Sequence, residues 1–263
     1  MNELFVDYII FAKKERMESL KQRRTIRKYQ QKDISADLLN DLLETSFRAS
    51  TMGGMQLYSV ILTRDTEMKE KLSPAHFNQP MVTQAPCVIT VCADVHRFSM
   101  WCEQRDAEPC YDNFAWFLNG VTDALLAAQN LCVEAEAHGL GICYLGTTIY
   151  TAEEIARILD LPKGVIPVTT IVVGHPDESP ELTDRLPLDA VVHCEKYHHY
   201  TSSEIDELWA EKETSEETRR LLEENGLPNL AQIFTRNRYR AEDNLAISRN
   251  YFALLKKQGF FNN

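Results

Sequence analysis

The chain has 263 residues, 44% of them hydrophobic and 25% charged, with a formal net charge of -11. That is ordinary globular composition with room for one large domain or two small ones. The net negative charge argues against general nucleic-acid binding, and the absence of any run of about 18 uncharged apolar residues excludes a transmembrane helix.

The N-terminus, Met1-Asn2-Glu3-Leu4-Phe5, lacks a basic region ahead of an apolar stretch, so no signal peptide is expected. Residues 3–22 read as a helix, loosely marked by Leu4, Ile9, Ile10, Met17 and Leu20. Ser35 is a plausible N-cap for a helix reaching about Arg48, with Leu38, Leu39, Leu42 and Leu43 on one face. A breaker, Ala49-Ser50-Thr51-Met52-Gly53-Gly54, precedes a strand over 58–62, and Pro86 introduces a second strand over 88–93. Residues 94–113 are polar, aromatic and aperiodic, and read as a loop or lid. The longest helix runs from Ala115 to His138; its centre is apolar nearly all round and should be buried on several sides. Gly139 stops it, a short strand follows over 142–145, and Thr151 with Glu154 has the spacing of a capping box for a helix reaching Leu161. A third strand spans 168–174. The chain then turns acidic and helical over 201–224, and basic and aromatic over 234–257. Strands and helices mix without strict alternation, which favours an α+β fold.

Seven cysteines are irregularly spaced and include no Cys-x-x-Cys pair. A reducing cytoplasm fits them better than a disulfide scaffold. Residues 13–32 hold nine Lys or Arg against Glu15 and Glu18, a local +7 in an acidic protein. Within that window Arg23-Arg24-Thr25-Ile26-Arg27 can surround a phosphate, because guanidinium forks match its oxygens. A solvated basic turn would look the same. The Ser50–Gly54 stretch offers hydroxyls and backbone N–H groups to a flat polar ring edge, or is simply a turn. Glycines around 139–147 do not form Gly-x-Gly-x-x-Gly and follow a helix, so a dinucleotide-binding Rossmann motif is rejected. Arg185 sits in a proline-flanked loop. The cluster His193 to His199 invites a metal reading, but its spacing matches no zinc motif and Lys196 opposes a cation.

The order of these segments is what distinguishes the chain. Arg-Arg-Thr-Ile-Arg, a Ser/Thr-Gly loop before a strand, a long apolar helix ending Gly-Leu-Gly, then Tyr-Leu-Gly-Thr and Arg-Leu-Pro, resembles the nitroreductase superfamily, in its NADPH-preferring branch of oxygen-insensitive nitroreductases and flavin reductases. The resemblance covers about residues 20–260. It implies a nitroreductase-like α+β fold: a central, mostly antiparallel sheet flanked by helices, in an intertwined homodimer. Residues 1–200 would form the FMN-binding core and 201–263 a C-terminal extension.

By the same resemblance Arg23, Arg24, Thr25 and Arg27 would meet the flavin phosphate and ring edge. Ser50 and Thr51 would supply hydroxyls, Gln79 an amide, and Tyr144, Leu145, Gly146 and Thr147 the turn against the reactive ring. Arg185 would be a second phosphate-side cation, although Thr183 stands where the branch often has Lys. The implied activity is ping-pong hydride transfer from NADPH, with NADH as the alternative donor, through FMN to nitroaromatics, quinones or free flavin. It requires no acid–base side chain and no metal. Arg236, Arg238 and Arg240 would hold the extra phosphate of NADPH or embrace the partner subunit. Two competing readings are a flavin-binding protein for storage or sensing without turnover, and a metal-dependent protein built on His193 to His199.

Overall fold

The computed structural model describes residues 20–261. The helix expected over residues 3–22 lies almost wholly outside that range. Ser35 does cap α1 (Ala36–Ser46), its hydroxyl accepting from Leu38 N, and Leu39 and Leu42 are buried. After the turn at 51–56 come β1 (Tyr58–Thr63), α2 (Thr66–Leu72), α3 (Pro80–Gln84) and β2 (Cys87–Asp94). The loop expected over 94–113 opens instead with a helix, α4 (His96–Glu103). Its aromatic side chains pack on one another and on the returning chain: Phe98 lies 5.3 Å from Trp101 and 5.2 Å from Tyr111. That packing supplies the support that the aperiodic sequence does not advertise.

The long helix α5 (Phe114–Ala137) is capped by Asn113, and β3 (Gly141–Leu145) follows. Next are α6 (Thr147–Tyr150), α7 (Ala152–Ile158) and β4 (Val165–Gly174). No capping box forms at Thr151, because its hydroxyl donates to Ala75 O at 2.5 Å instead. The box occurs at Thr201 and Glu204, opening α8 (Ser202–Thr214). The acidic stretch is then broken at Ser215, which caps α9 (Glu216–Asn225). Finally come α10 (Leu230–Ile233) and α11 (Ala241–Lys257).

The four strands form one antiparallel sheet in the order β1-β2-β4-β3. Both β2 and β4 are buried along their whole length. Covered on both faces, they read as continuous apolar runs without alternation. The β2–β4 register shifts between Val91 and Cys92, where Cys92 faces Pro167; an irregularity there accommodates a residue that lacks an N–H. Against the sheet, α1 and α5 contribute Leu39, Leu42, Ala124, Ala127, Ala128 and Leu131 to a core shared with Ile89, Val91 and Ile171.

Within one chain α5 is buried on its inner side only. Its inner face is buried, but Leu118, Leu125 and Leu126 are 48%, 43% and 43% exposed. The chain divides into two compact units, one reaching Glu181 and resuming at Arg249, the other spanning Leu182–Ser248. The boundary expected after residue 200 does not coincide with them. Leu254, Leu255 and Phe260 are buried in the core of the first unit, which draws the end of the chain into it.

Candidate functional site

The basic segment is laid along the start of β3. Thr25 forms a parallel bridge with Ile142, and Ile26 N donates to Ile142 O at 3.0 Å. Only glycine at position 141 permits this approach, since a Cβ there would stand 2.7 Å from the Ile26 side chain. The three arginines meet different surroundings. Arg23 Nε lies 3.6 Å from Glu136 Oε1, and burial holds that carboxyl above its usual range despite the arginine. Arg24 Nε is buried without a hydrogen-bond partner. The Arg27 side chain is exposed; its backbone N–H and that of Lys28 donate to Glu178 Oε1, at 2.5 and 3.1 Å. Among the described residues, neither Arg24 nor Arg27 has a carboxylate within ion-pair distance.

In the 50–57 loop Ser50 is exposed, whereas the Thr51 hydroxyl is engaged twice. It donates to Asp123 Oδ2 at 2.5 Å and accepts from Gln56 N at 2.9 Å.

Gln79 sits at the start of α3 with its Oε1 buried and unpartnered. It is delivered by an unusual turn: Phe77 and Asn78 both take left-handed backbone, at φ 56° and 53°, a conformation non-glycine residues seldom adopt. The turn is tied to the 144–147 segment. Fully buried His76 pairs its Nδ1 with Thr147 Oγ1 at 2.8 Å, and burial pushes its pKa down to about 4, so the ring is neutral. The other ring nitrogen, Nε2, is buried and unpartnered. Tyr144 OH donates to Gln129 Oε1 at 3.4 Å, and burial pushes the phenol well above its ordinary range. Leu145 is buried, while Gly146 is exposed with open space beside its Cα.

Arg185 lies in the second unit and folds back on its own loop, donating to Thr183 O, Thr183 Oγ1 and Asp184 O at 2.8–3.2 Å. In that unit Arg240 pairs with Glu242 and Asp243, and Arg238 stands 5.5 Å over the Phe234 ring. Residues 193–199 form an aromatic stack, with the His193 and Tyr197 rings 4.4 Å apart and His198 Nε2 2.9 Å from Glu204. Among the described residues no group of three or more His, Cys, Asp or Glu side chains is arranged to hold a metal.

Three of the expected site segments converge on α5. Asp123 takes the 51–57 loop, Gln129 takes Tyr144, and Glu136 takes Arg23. At 1.5 Å of rise per residue those anchors span roughly 20 Å of helix. The 76–79 turn joins them through Thr147. Asp123, Gln129 and His76 are residues that motif reading passed over. Asp123 left a trace, as the one acidic residue in the small, apolar centre of that helix.

A flavin mononucleotide needs cations for its phosphate and amide-type partners for its ring edge. Both are present as unsatisfied groups. Of the six buried side-chain atoms without a partner among the described residues, Arg24 Nε, His76 Nε2 and Gln79 Oε1 lie in these converging segments. The residues therefore fit the group.

The comparisons with known proteins run in the same direction. A model of the nitroreductase family matches residues 20–175. An FMN reductase (NADPH) of Bacillus subtilis is 33% identical over 184 residues, 69% of this chain and 74% of its own. An NADPH-dependent oxidoreductase of Staphylococcus aureus is 36% identical over 183 residues, 68% of this chain and 72% of its own. A Bacteroides fragilis protein of solved structure is 56% identical with a TM-score of 0.92, over 93% of this chain and all of its own. The structure of a B. subtilis nitroreductase matches with a TM-score of 0.77 at 28% identity, over 94% of this chain and all of its own.

Proposed function

The chain belongs to the nitroreductase family and is an FMN-dependent NAD(P)H oxidoreductase; we propose that it acts as a homodimer, prefers NADPH, and reduces nitroaromatics, quinones or free flavin. When bound, FMN supplies the two-electron chemistry that links a nicotinamide donor to such an acceptor. The rest falls to the protein's own groups. Arg24 and Arg27, the two N-terminal arginines with no carboxylate at ion-pair distance among the described residues, hold the phosphate. Arg23, fixed against Glu136, lends positive charge beside the ring, which favours a reduced, anionic state there. Thr25 is held beside β3 in the same segment. Gln79 Oε1 accepts from a ring N–H, and Tyr144, Leu145, Gly146 and Thr147 form the turn on which the ring rests. Arg236 and Arg238, free of carboxylate partners among the described residues, receive the additional phosphate of NADPH.

The observation that carries this reading is the pair of orphaned buried atoms, Arg24 Nε and Gln79 Oε1. A buried unmet donor or acceptor costs about 1–3 kcal/mol, and a ligand that satisfies it recovers that stabilisation. Homodimerisation is supported by the apolar stripe of Leu118, Leu125 and Leu126 on the outer face of α5. A reducing compartment is supported by seven cysteines that are all free, and no helix among the described residues is long and apolar enough to cross a membrane. The storage or sensing alternative has no comparable support, since the relatives named above are called reductases and oxidoreductases.

The test is spectroscopic. Purified protein should show oxidised-flavin absorption that NADPH bleaches anaerobically and nitrofurazone restores. Protein that holds flavin but does not bleach would defeat the enzyme reading. Arg24→Ala should lower FMN retention, and unchanged retention would remove Arg24 from the site.

A further inference from the structure

Asp123 is 2% exposed in the apolar middle of α5, and no cation among the described residues pairs with it. A carboxylate so placed is expensive to bury unless its oxygens are fully occupied. Among the described residues its side-chain hydrogen bonds all come from one loop: Thr51 Oγ1 at 2.5 Å, Met52 N at 2.9 Å and Leu57 N at 3.1 Å. That loop turns on two glycines and on Gln56, whose backbone takes a conformation that residues with a side chain seldom adopt. Gly53, Gly54 and Gln56 all have left-handed φ, of 53°, 72° and 51°. It also lies close on the helix one turn before Asp123, where a Cβ at Gly120 would meet Leu57 O at 3.1 Å. A charged acceptor with three donors is therefore what gathers both ends of a strained loop, and Thr51 is its strut: the hydroxyl passes the anchorage on to Gln56 N.

We propose that Asp123 is a positioning residue for the flavin site, acting through Thr51 to fix the loop that presents Ser50 and the Gly53–Gly54 backbone to the cofactor. The inference rests on the FMN reading above and deepens it. Thr51, expected as a flavin contact, becomes a structural link whose hydroxyl is already committed. The same helix carries the exposed Leu118, Leu125 and Leu126 stripe, so one element bears both the proposed subunit contact and the anchor of the loop.

The experiment compares flavin-stripped wild type with Asp123→Asn, Thr51→Val and Thr51→Ser. FMN dissociation constants come from fluorescence titration, melting temperatures from the apoproteins, and amide exchange is followed over residues 51–57. Asp123→Asn keeps the side-chain shape but sets an amide N–H₂ against N–H donors. Its FMN dissociation constant should rise about tenfold or more, with exchange over 51–57 faster by a similar factor. Thr51→Val should weaken FMN in the same direction, and Thr51→Ser should restore binding to within about twofold of wild type, since it keeps the hydroxyl. A lower melting temperature with wild-type FMN affinity in both Asp123→Asn and Thr51→Val would overturn the proposal, because a purely structural role predicts that pattern. If Asp123→Asn does not fold, the Thr51 pair decides: wild-type affinity in Thr51→Val overturns the proposal, and loss rescued by serine supports it. Failure of the underlying flavin reading shows separately, as wild-type protein that takes up no FMN.

Discussion

At the scale of single residues, the most consequential choice is the protonation of His76. Its folded pKa of about 4 lies below the 6.5 of an exposed histidine, and the cause is burial. Between those values the unfolded chain binds a proton that the folded chain refuses, so stability increases with pH across the window and is lost as pH falls through it. The full effect is on the order of 3 kcal/mol, reached as pH approaches 4. Apoprotein unfolded by denaturant at stepped pH should lose stability between 6.5 and 4. His76→Asn, which keeps a polar group facing Thr147 but cannot titrate, should show a shallower slope by one proton. Equal slopes would mean that His76 is protonated in the fold. Some residue roles were legible beforehand and others were not. Arginines and hydroxyls grouped within five positions declare a possible anion site. Asp123 could not declare its role, because its partners Thr51 and Leu57 are 72 and 66 positions away.

At the scale of elements, the central pairing of β2 and β4 contains an unresolved polar contact. Thr90 and Thr170 face each other in register, and both hydroxyls are buried without a partner among the described residues. Thr90→Val should therefore raise stability by about 1 kcal/mol, because it replaces an unsatisfied hydroxyl with a methyl in an apolar setting. A denaturant midpoint below wild type would show instead that the hydroxyl is satisfied. The strands themselves were readable, since Cys87–Asp94 and Val165–Gly174 are rich in β-branched residues, with Val, Ile and Thr predominating. The failures share one physical cause, which is long-range contact overriding a local pattern. The helix α4 has no clear period and is held by aromatic packing with Tyr111, itself 4.6 Å from Trp116. Thr151 and Glu154 have capping-box spacing, but Ala75 O takes the hydroxyl.

At the scale of the whole molecule, the α5 stripe makes the most direct claim. Three leucines between 43% and 48% exposed on one long helix form the kind of apolar surface that marks an interface. Leu125→Glu should shift sedimentation from dimer to monomer and lower FMN occupancy at the same time, because the Asp123 anchor lies two residues away on that helix. Monomer with undiminished flavin would separate assembly from the site, and a wild-type monomer would remove the interface altogether.

The first unit is discontinuous: its core is completed by Leu254, Leu255 and Phe260, which come after the entire second unit. Gly164 N donates to Gln258 O at 3.0 Å, and Lys257 meets Glu153 at 2.8 Å, tying the returning segment to α7 and the approach to β4. During synthesis the sheet and α5 thus leave the ribosome long before the residues that close their core. Domains generally fold as units while they are made, but this one must keep the apolar surface around Phe117, which packs on Tyr251 and Phe260, open until about 80 further residues have been added, a wait of several seconds at elongation rates of ~5–20 residues per second. That interval is when the nascent chain most needs chaperone cover, and a stop codon anywhere in the second unit would release it in that open state.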